Sequence, residues 1–396
     1  MIKIESMKMQ HLKHRVFSLI AIFSLLSCGE DSYDIEMLAY DFEADEIVTK
    51  VNTVKTLDDL GKLEGRATRL RGGLSIELDQ ISGMVRWNRV GTPVAFNALE
   101  IDNVYHPTDY NSLAMVSVYY NIEAIMLYME ALGMPKGKLG RIDTYYWADV
   151  TDIYSSGMGT VVKEKSTNNA FYLSLSQRDR GFYILPFDLS PKLLSQVDRV
   201  PLSMNPGVIA HEYSHAVFQE LVLDSLPKGG VELAITPYNY LWALNEGIAD
   251  IFAVASTGDT DFITASISDP TARRDALDVV EYKFSYDSNI RNKGTYFDDP
   301  YEIGQFFSAT IYEIARRFQG LAPNGLTKAD APARREVARI TYKALSALPK
   351  FGIHNFRPAD FFTVFVSHVG PGRHETVCQV LSERFQIHYT EVEGCL

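Results

Sequence analysis

Two histidines flanking a glutamate, in the run His211-Glu212-Tyr213-Ser214-His215, constrain this chain more than any other feature. Asn205-Pro206 precedes them, and the pair predicts a helix start: Asn caps open amides and Pro is tolerated at the first helical position. Residues i and i+4 share a helix face, so both imidazoles converge on one point with Glu212 beside them. A metal ion can be held there while the carboxylate reaches a water molecule; two surface histidines on an ordinary helix are the plainer alternative. A second stretch, Leu241-Trp242-Ala243-Leu244-Asn245-Glu246-Gly247-Ile248-Ala249-Asp250, favours the metal. Glu246 and Asp250 are again i and i+4, two carboxylates in apolar surroundings where unpaired burial is costly. Two histidines leave zinc short of a third protein ligand, which Glu246 supplies, and Asp250 can accept a hydrogen bond from a ligand histidine's other nitrogen. A solvated helix face is the competing reading for both acids, and their apolar flanks count against it. Gly247 would let the two helices approach closely.

These residues resemble those of the gluzincin metallopeptidases, especially the thermolysin and fungalysin families. Asn168-Asn169-Ala170-Phe171-Tyr172 is similar to the family's Asn-Ala-aromatic edge strand, and Val208-Ile209-Ala210 and Val118-Tyr119-Tyr120 also fit. The resemblance covers roughly residues 111–318. It implies His211, His215 and Glu246 as zinc ligands, Glu212 as general base and then acid, and Asp250 as the partner of His211. It also implies that Asn169 and Ala170 hold a peptide or protein substrate by strand addition, which suits sequence-tolerant recognition. Two departures stand out. His215 and Glu246 are separated by 30 intervening residues, more than in thermolysin, with Ser225 to Tyr240 reading as a surface insertion. The family's downstream His is replaced: in Asp299-Pro300-Tyr301-Glu302-Ile303-Gly304-Gln305, Tyr301 stands in its place. A phenol can still donate a hydrogen bond to a developing oxyanion, so Tyr301 is the expected donor, with Tyr238 and Tyr240 as alternatives. Packing at a helix start is the competing role for Tyr301.

The first 27 residues read as an address. Lys8, Lys13, His14 and Arg15 precede an apolar run from Val16 to Leu26, too short for a membrane-spanning helix, which needs about 20 residues. Leu25-Leu26-Ser27-Cys28 resembles a bacterial lipobox, which predicts lipid on Cys28 and a lipid-anchored protein at a bacterial cell envelope, in the outer membrane. A cleaved signal with an incidental Cys is the alternative. Eight acidic residues and no Lys or Arg lie between Glu30 and Glu46, so residues 28–50 are expected to form an acidic tether. Cys378 and Cys395 could bridge in an oxidising compartment, or stay as two thiols. No other segment holds 18 uninterrupted apolar residues, so the remainder is expected to be water-soluble.

The net charge of −12 disfavours nucleic acid as a partner, since phosphate backbones require a basic footprint. Short alternations over 51–105, and runs at 142–147, 170–175 and 182–187, predict strands. Helical spacing predicts helices over 111–132, 206–224, 241–256, 302–318, 333–348 and 359–369. Strands first and helices afterwards argue for an α+β protein. The expected organisation is a two-lobed zincin-like fold, with a sheet-containing lobe at 51–224, a helical lobe at 225–396 and the site between them. Asp259-Thr260-Asp261 offers carboxylates of the kind Ca²⁺ takes, but it lacks the Gly and closing Glu of a calcium loop and reads better as a turn. His354, His368, His374 and His388 have no partner at metal spacing. The expected activity is a zinc-dependent endopeptidase; the alternative, motivated by the missing His, is a peptidase-like binding lipoprotein without turnover.

Overall fold

The computed structural model describes residues 32–41, 46–79, 81–155, 160–166, 169–174, 180–185, 200–225, 235–267, 273–292, 300–321 and 331–395. In chain order these form β1 (Tyr33–Asp41), β2 (Glu46–Val54), β3 (Leu57–Asp59), β4 (Glu64–Gly65), β5 (Thr68–Gly72), β6 (Ser75–Asp79), β7 (Met84–Arg89), β8 (Thr92–Pro93), β9 (Ala98–Ile101), β10 (Val104–Pro107) and helix α1 (Tyr110–Leu132). There follow β11 (Ile142–Tyr146), β12 (Asp149–Ser155), β13 (Val161–Ser166), β14 (Ala170–Ser174) and β15 (Arg180–Ile184). Helices α2 (Pro206–Phe218), α3 (Ile235–Thr257), α4 (Phe284–Asn292), α5 (Pro300–Phe318), α6 (Ala331–Phe351), α7 (Pro358–Ser367) and α8 (His374–Phe385) complete the chain. The fold is mixed α+β, with strands early and helices late.

Of residues 28–50, expected as an acidic tether, 33–41 and 46–50 are paired strands instead, and 28–31 and 42–45 lie outside the described residues. β1 runs antiparallel to β2 over its whole length, and β10 joins its other side. Acidic and apolar residues alternate along Tyr33-Asp34-Ile35-Glu36-Met37, so the acids share one face while Ile35 and Met37 are fully buried on the other. Counting charge misses this alternation. Leu38 N–H donates to Ser117 Oγ at 3.0 Å, tying β1 to α1.

Asp109 caps α1 by accepting from Ser112 N–H at 2.8 Å, and Gly133, at φ 119°, ends it in a backbone conformation that glycine adopts without strain. By length and composition α1 could cross a membrane. Here it is a core helix, packed against β1, β5 and α2.

A seven-stranded sheet positions the site. Its order is β14-β15-β11-β5-β4-β3, with β8 on β5, so β14 is the edge strand. Four-stranded sheets of order β2-β1-β10-β9 and β13-β12-β6-β7 accompany it. One apolar core runs from Ile35 through α1, α2, α3 and α5 to Val392, so the sheet wall and the helical wall are joined by continuous packing. Phe306, Phe307, Phe361, Phe362 and Phe385 pack edge and face around the carboxyl-terminal end of that core. Cys378 and Cys395 form a disulfide with a Cα–Cα distance of 5.3 Å.

Candidate functional site

The α2 helix is fixed at its start before it presents any chemistry. Asn205 Oδ1 accepts from Gly207 N–H (2.9 Å) and Val208 N–H (3.3 Å), while its amide donates to Phe262 O (2.7 Å) and Ser266 Oγ (2.8 Å). The cap is thus anchored to the segment that follows α3. Helices α2 and α3 run antiparallel, with His211 opposite Asp250 and His215 opposite Asn245. On its other side α3 crosses α5 glycine against glycine: a Cβ on Gly247 would lie 2.5 Å from Gly304 O, and one on Gly304 would lie 2.9 Å from Glu246 Cβ. Gly304 therefore sets the height of Glu246 above the helix pair.

His211 Nε2 and His215 Nε2 are 3.1 Å apart; Glu246 Oε2 is 3.4 Å from His211 Nε2, and Oε1 is 3.8 Å from His215 Nε2. Ligands held about 2.0–2.1 Å from a tetrahedral ion stand roughly 3.4 Å from one another, so this triangle has the edges a metal requires. The outward nitrogens are already committed: His211 Nδ1 donates to Asp250 Oδ1 at 2.9 Å and His215 Nδ1 to Asn245 Oδ1 at 3.0 Å. Both rings are thereby held in the tautomer that aims a lone pair inward.

Charge balance gives the same answer. Glu212, Glu246 and Asp250 contribute three negative charges, and Arg274, whose Nη1 lies 3.4 Å from both Glu246 Oε2 and Asp250 Oδ1, contributes one positive charge. The surplus is 3 − 1 = 2, which a divalent cation cancels. Burial pushes the Glu246 carboxyl up, but His215, His211 and Arg274 outweigh it and hold its pKa at about 2. Burial alone would lower the His211 imidazolium, yet its hydrogen bonds to Asp250 and Glu246 hold it up at about 9; without the ion, a proton supplies part of the missing positive charge. His211, His215 and Glu246 could therefore hold a metal ion.

The cluster opens into a cleft of about 840 Å³ walled by β14, α2, α3 and the start of α5. Desolvation in this cleft raises the Glu212 carboxyl against the pull of His215 and His211. Tyr172 N–H on β14 donates to Glu212 Oε2 at 2.7 Å. That bond follows from the register. Asn169 O accepts from Leu185 N–H at 2.9 Å, so 169, 171 and 173 bond inward to β15 and 170, 172 and 174 face the open edge.

Asn169 and Ala170 line the same cleft, with Ala170 N–H held by the Asn169 side chain at 2.8 Å. Tyr301, half-exposed at the start of α5, lines the cleft with its ring 5.0 Å from the Arg274 guanidinium carbon. Tyr238 also lines the cleft, but Tyr240 does not: it is 1% exposed and its hydroxyl donates to Asp287, which removes it as an oxyanion donor. The segment around Asp259-Thr260-Asp261 is a turn, as its sequence suggested, and the Asp261 carboxylate is taken there by Arg273 at 3.0 Å and Thr264 at 2.7 Å. Asn168 and Cys28 lie outside the described residues. Sequence reasoning missed Asn245 and Arg274. Asn245 adjoins Glu246 and could have been found by asking what orients the second histidine, whereas Arg274 lies outside any helix or strand and carries no periodic signal.

Comparison of the chain with protein-family models and with curated proteins finds no match in either.

Proposed function

We propose that the protein is a zinc-dependent endopeptidase of gluzincin type, built as a two-lobed zincin-like fold with the cleft between its sheet and helical walls. The observation that carries this reading is the position of Glu212: it stands beside the convergent His211, His215 and Glu246 while held by Tyr172 N–H on the open edge of β14. A structural metal would need no carboxylate there. His211, His215 and Glu246 would hold the zinc, which when bound supplies Lewis acidity, polarising the scissile carbonyl and lowering the pKa of water toward about 7.

The chain's own groups do the rest. The edge of β14 receives an extended peptide through the outward carbonyls of Ala170 and Tyr172, whose N–H groups are taken by Asn169 Oδ1 and Glu212, and sets the scissile bond over the cluster. Glu212 takes one proton from the attacking water, whose oxygen bonds to the carbonyl carbon. The carbon–nitrogen bond then breaks, and Glu212 returns that proton to the departing amine. Its raised pKa suits a group that must both accept and release. Tyr301, its ring backed by Arg274, supplies the donor for the oxygen on which charge develops. Cys28 would carry the lipid that anchors the protein at a bacterial envelope. β1 begins five residues after Cys28, so the folded chain would lie within about 17 Å of that anchor.

Digestion of an unfolded protein such as reduced casein by the zinc-loaded chain tests the reading. Cleavage at internal bonds that stops with chelator and returns with zinc is expected; cleavage untouched by chelator would contradict it.

A further inference from the structure

The residues that line the cleft fall into two groups, its two arms, one toward each end of α2. Near its start lie Val208 and Phe262, with the Phe262 ring 6.0 Å from that of His211. Near its end the wall is Leu173, Leu223, Leu241, Tyr238 and Trp242. The second arm is built from features particular to this chain. After Phe218 the helix widens into a π turn over Gln219–Leu223, and Leu223 lines the arm. Trp242 precedes Glu246 by four residues and so shares its helix face, one turn or about 5.4 Å away along the axis. Its indole is 36% exposed and lies 6.2 Å from the Tyr238 ring.

The charged groups nearest this arm are matched to one another. Arg180 pairs with Glu220 at 3.0 Å and with Asp224, and Gln219 Nε2 donates to Asp224 Oδ1 at 2.7 Å. What the arm offers an occupant is therefore apolar and aromatic surface.

We infer that Trp242 and Tyr238 form a binding shelf for a large apolar or aromatic side chain of the peptide substrate, on the amino-terminal side of the scissile bond. This rests on the proposed peptidase reading and adds the substrate class. The side follows from strand direction. β14 meets Glu212 at Tyr172 and runs on to Ser174, which pairs with Arg180 beside the end of α2. Antiparallel addition, the slightly stronger pairing, sets the substrate's amino-terminal half against Leu173 and Ser174, under Trp242. At about 3.4 Å per residue, one helical turn places the shelf one or two residues before the cleaved bond.

The test separates binding from turnover. In a Glu212→Gln background, zinc-loaded, two otherwise identical peptides carrying Phe or Ala at both residues before a central bond are titrated by calorimetry. The Phe peptide is expected to bind about tenfold tighter, the scale for burying one aromatic side chain, and the ratio is expected to fall to near one in Trp242→Ala. Trp242→Gln, which keeps an extended side chain and loses the ring, should behave as Trp242→Ala does, with unchanged circular dichroism. A ratio that persists in both variants, or no preference before mutation, overturns the shelf. Hydrolysis of the same peptides by the chain with Glu212 intact reports on the peptidase reading alone.

Discussion

Two histidine–aspartate pairs, each built on a buried aspartate, lie around α3, and they differ in what surrounds the imidazole. In one, His211 Nδ1 is 2.9 Å from Asp250 Oδ1, and Nε2 points to a second histidine and a glutamate at the wall of an open cleft. In the other, His388 Nε2 is 2.9 Å from Asp287 Oδ2, and Asp287 also accepts from Tyr240 and from Tyr282 at 3.0 Å. The second network lines no part of the cleft: Asp287 gathers two tyrosine hydroxyls and the His388 ring, and so fastens α3 and α4 to the segment after α8. The first leaves inward-facing lone pairs and a surplus of two negative charges. Burial of an acid beside a histidine marks a rivet; convergence of uncommitted donors on an open volume marks a site.

The largest expected effect breaks the chemistry while leaving the metal cluster intact. Glu212→Gln should lower hydrolysis of an unfolded protein by about 10³-fold, within the usual range for losing a general base, with zinc content by mass spectrometry unchanged. Retained activity would place the base elsewhere. Next comes Tyr301→Phe, which keeps the ring against Arg274 and removes the hydroxyl: kcat should fall by about 10² with KM little changed. A kcat within twofold of the unmodified chain would leave Tyr301 a packing role and turn attention to Tyr238.

The comparison itself is sharpened by a matched pair of variants. Asp250→Asn should weaken zinc binding by about 10- to 100-fold, the usual cost of disturbing a ligand's hydrogen-bond partner, measured by competition with a chromophoric chelator. Asp287→Asn should leave zinc affinity and hydrolysis unaltered, and lower the free energy of urea unfolding by about 2 kcal/mol as buried hydroxyls lose a charged acceptor. Equal effects of the two substitutions on zinc would erase the distinction between rivet and site.

How much of the fold and the site is legible in the sequence follows from what carries periodicity. His211, His215, Glu246 and Asp250 lie at i and i+4, so their convergence can be read from spacing alone. The helices over 302–318 and 333–348 extend to 300–318 and 331–351 for the same reason. α4 carries no such signal, because Phe284-Ser-Tyr-Asp-Ser-Asn-Ile-Arg-Asn is short and polar, and tertiary packing holds it helical. α8 does carry it, in Val377, Val380, Leu381 and Phe385 at i, i+3, i+4 and i+8, beyond the last helix expected at 359–369. The strand at Tyr33–Asp41 is hidden by its acids, although its alternation is present. Arg274 lies beyond the reach of any pattern, since a loop residue is brought to Glu246 by packing alone.

Metal analysis is the most direct test of the central claim that His211, His215 and Glu246 form one zinc site. After dialysis against zinc and removal of the excess, the unmodified chain should hold one zinc ion per molecule and the His211→Ala, His215→Ala double variant none, with both folded by circular dichroism. Full zinc occupancy in the double variant, or none in the unmodified chain, would contradict the account.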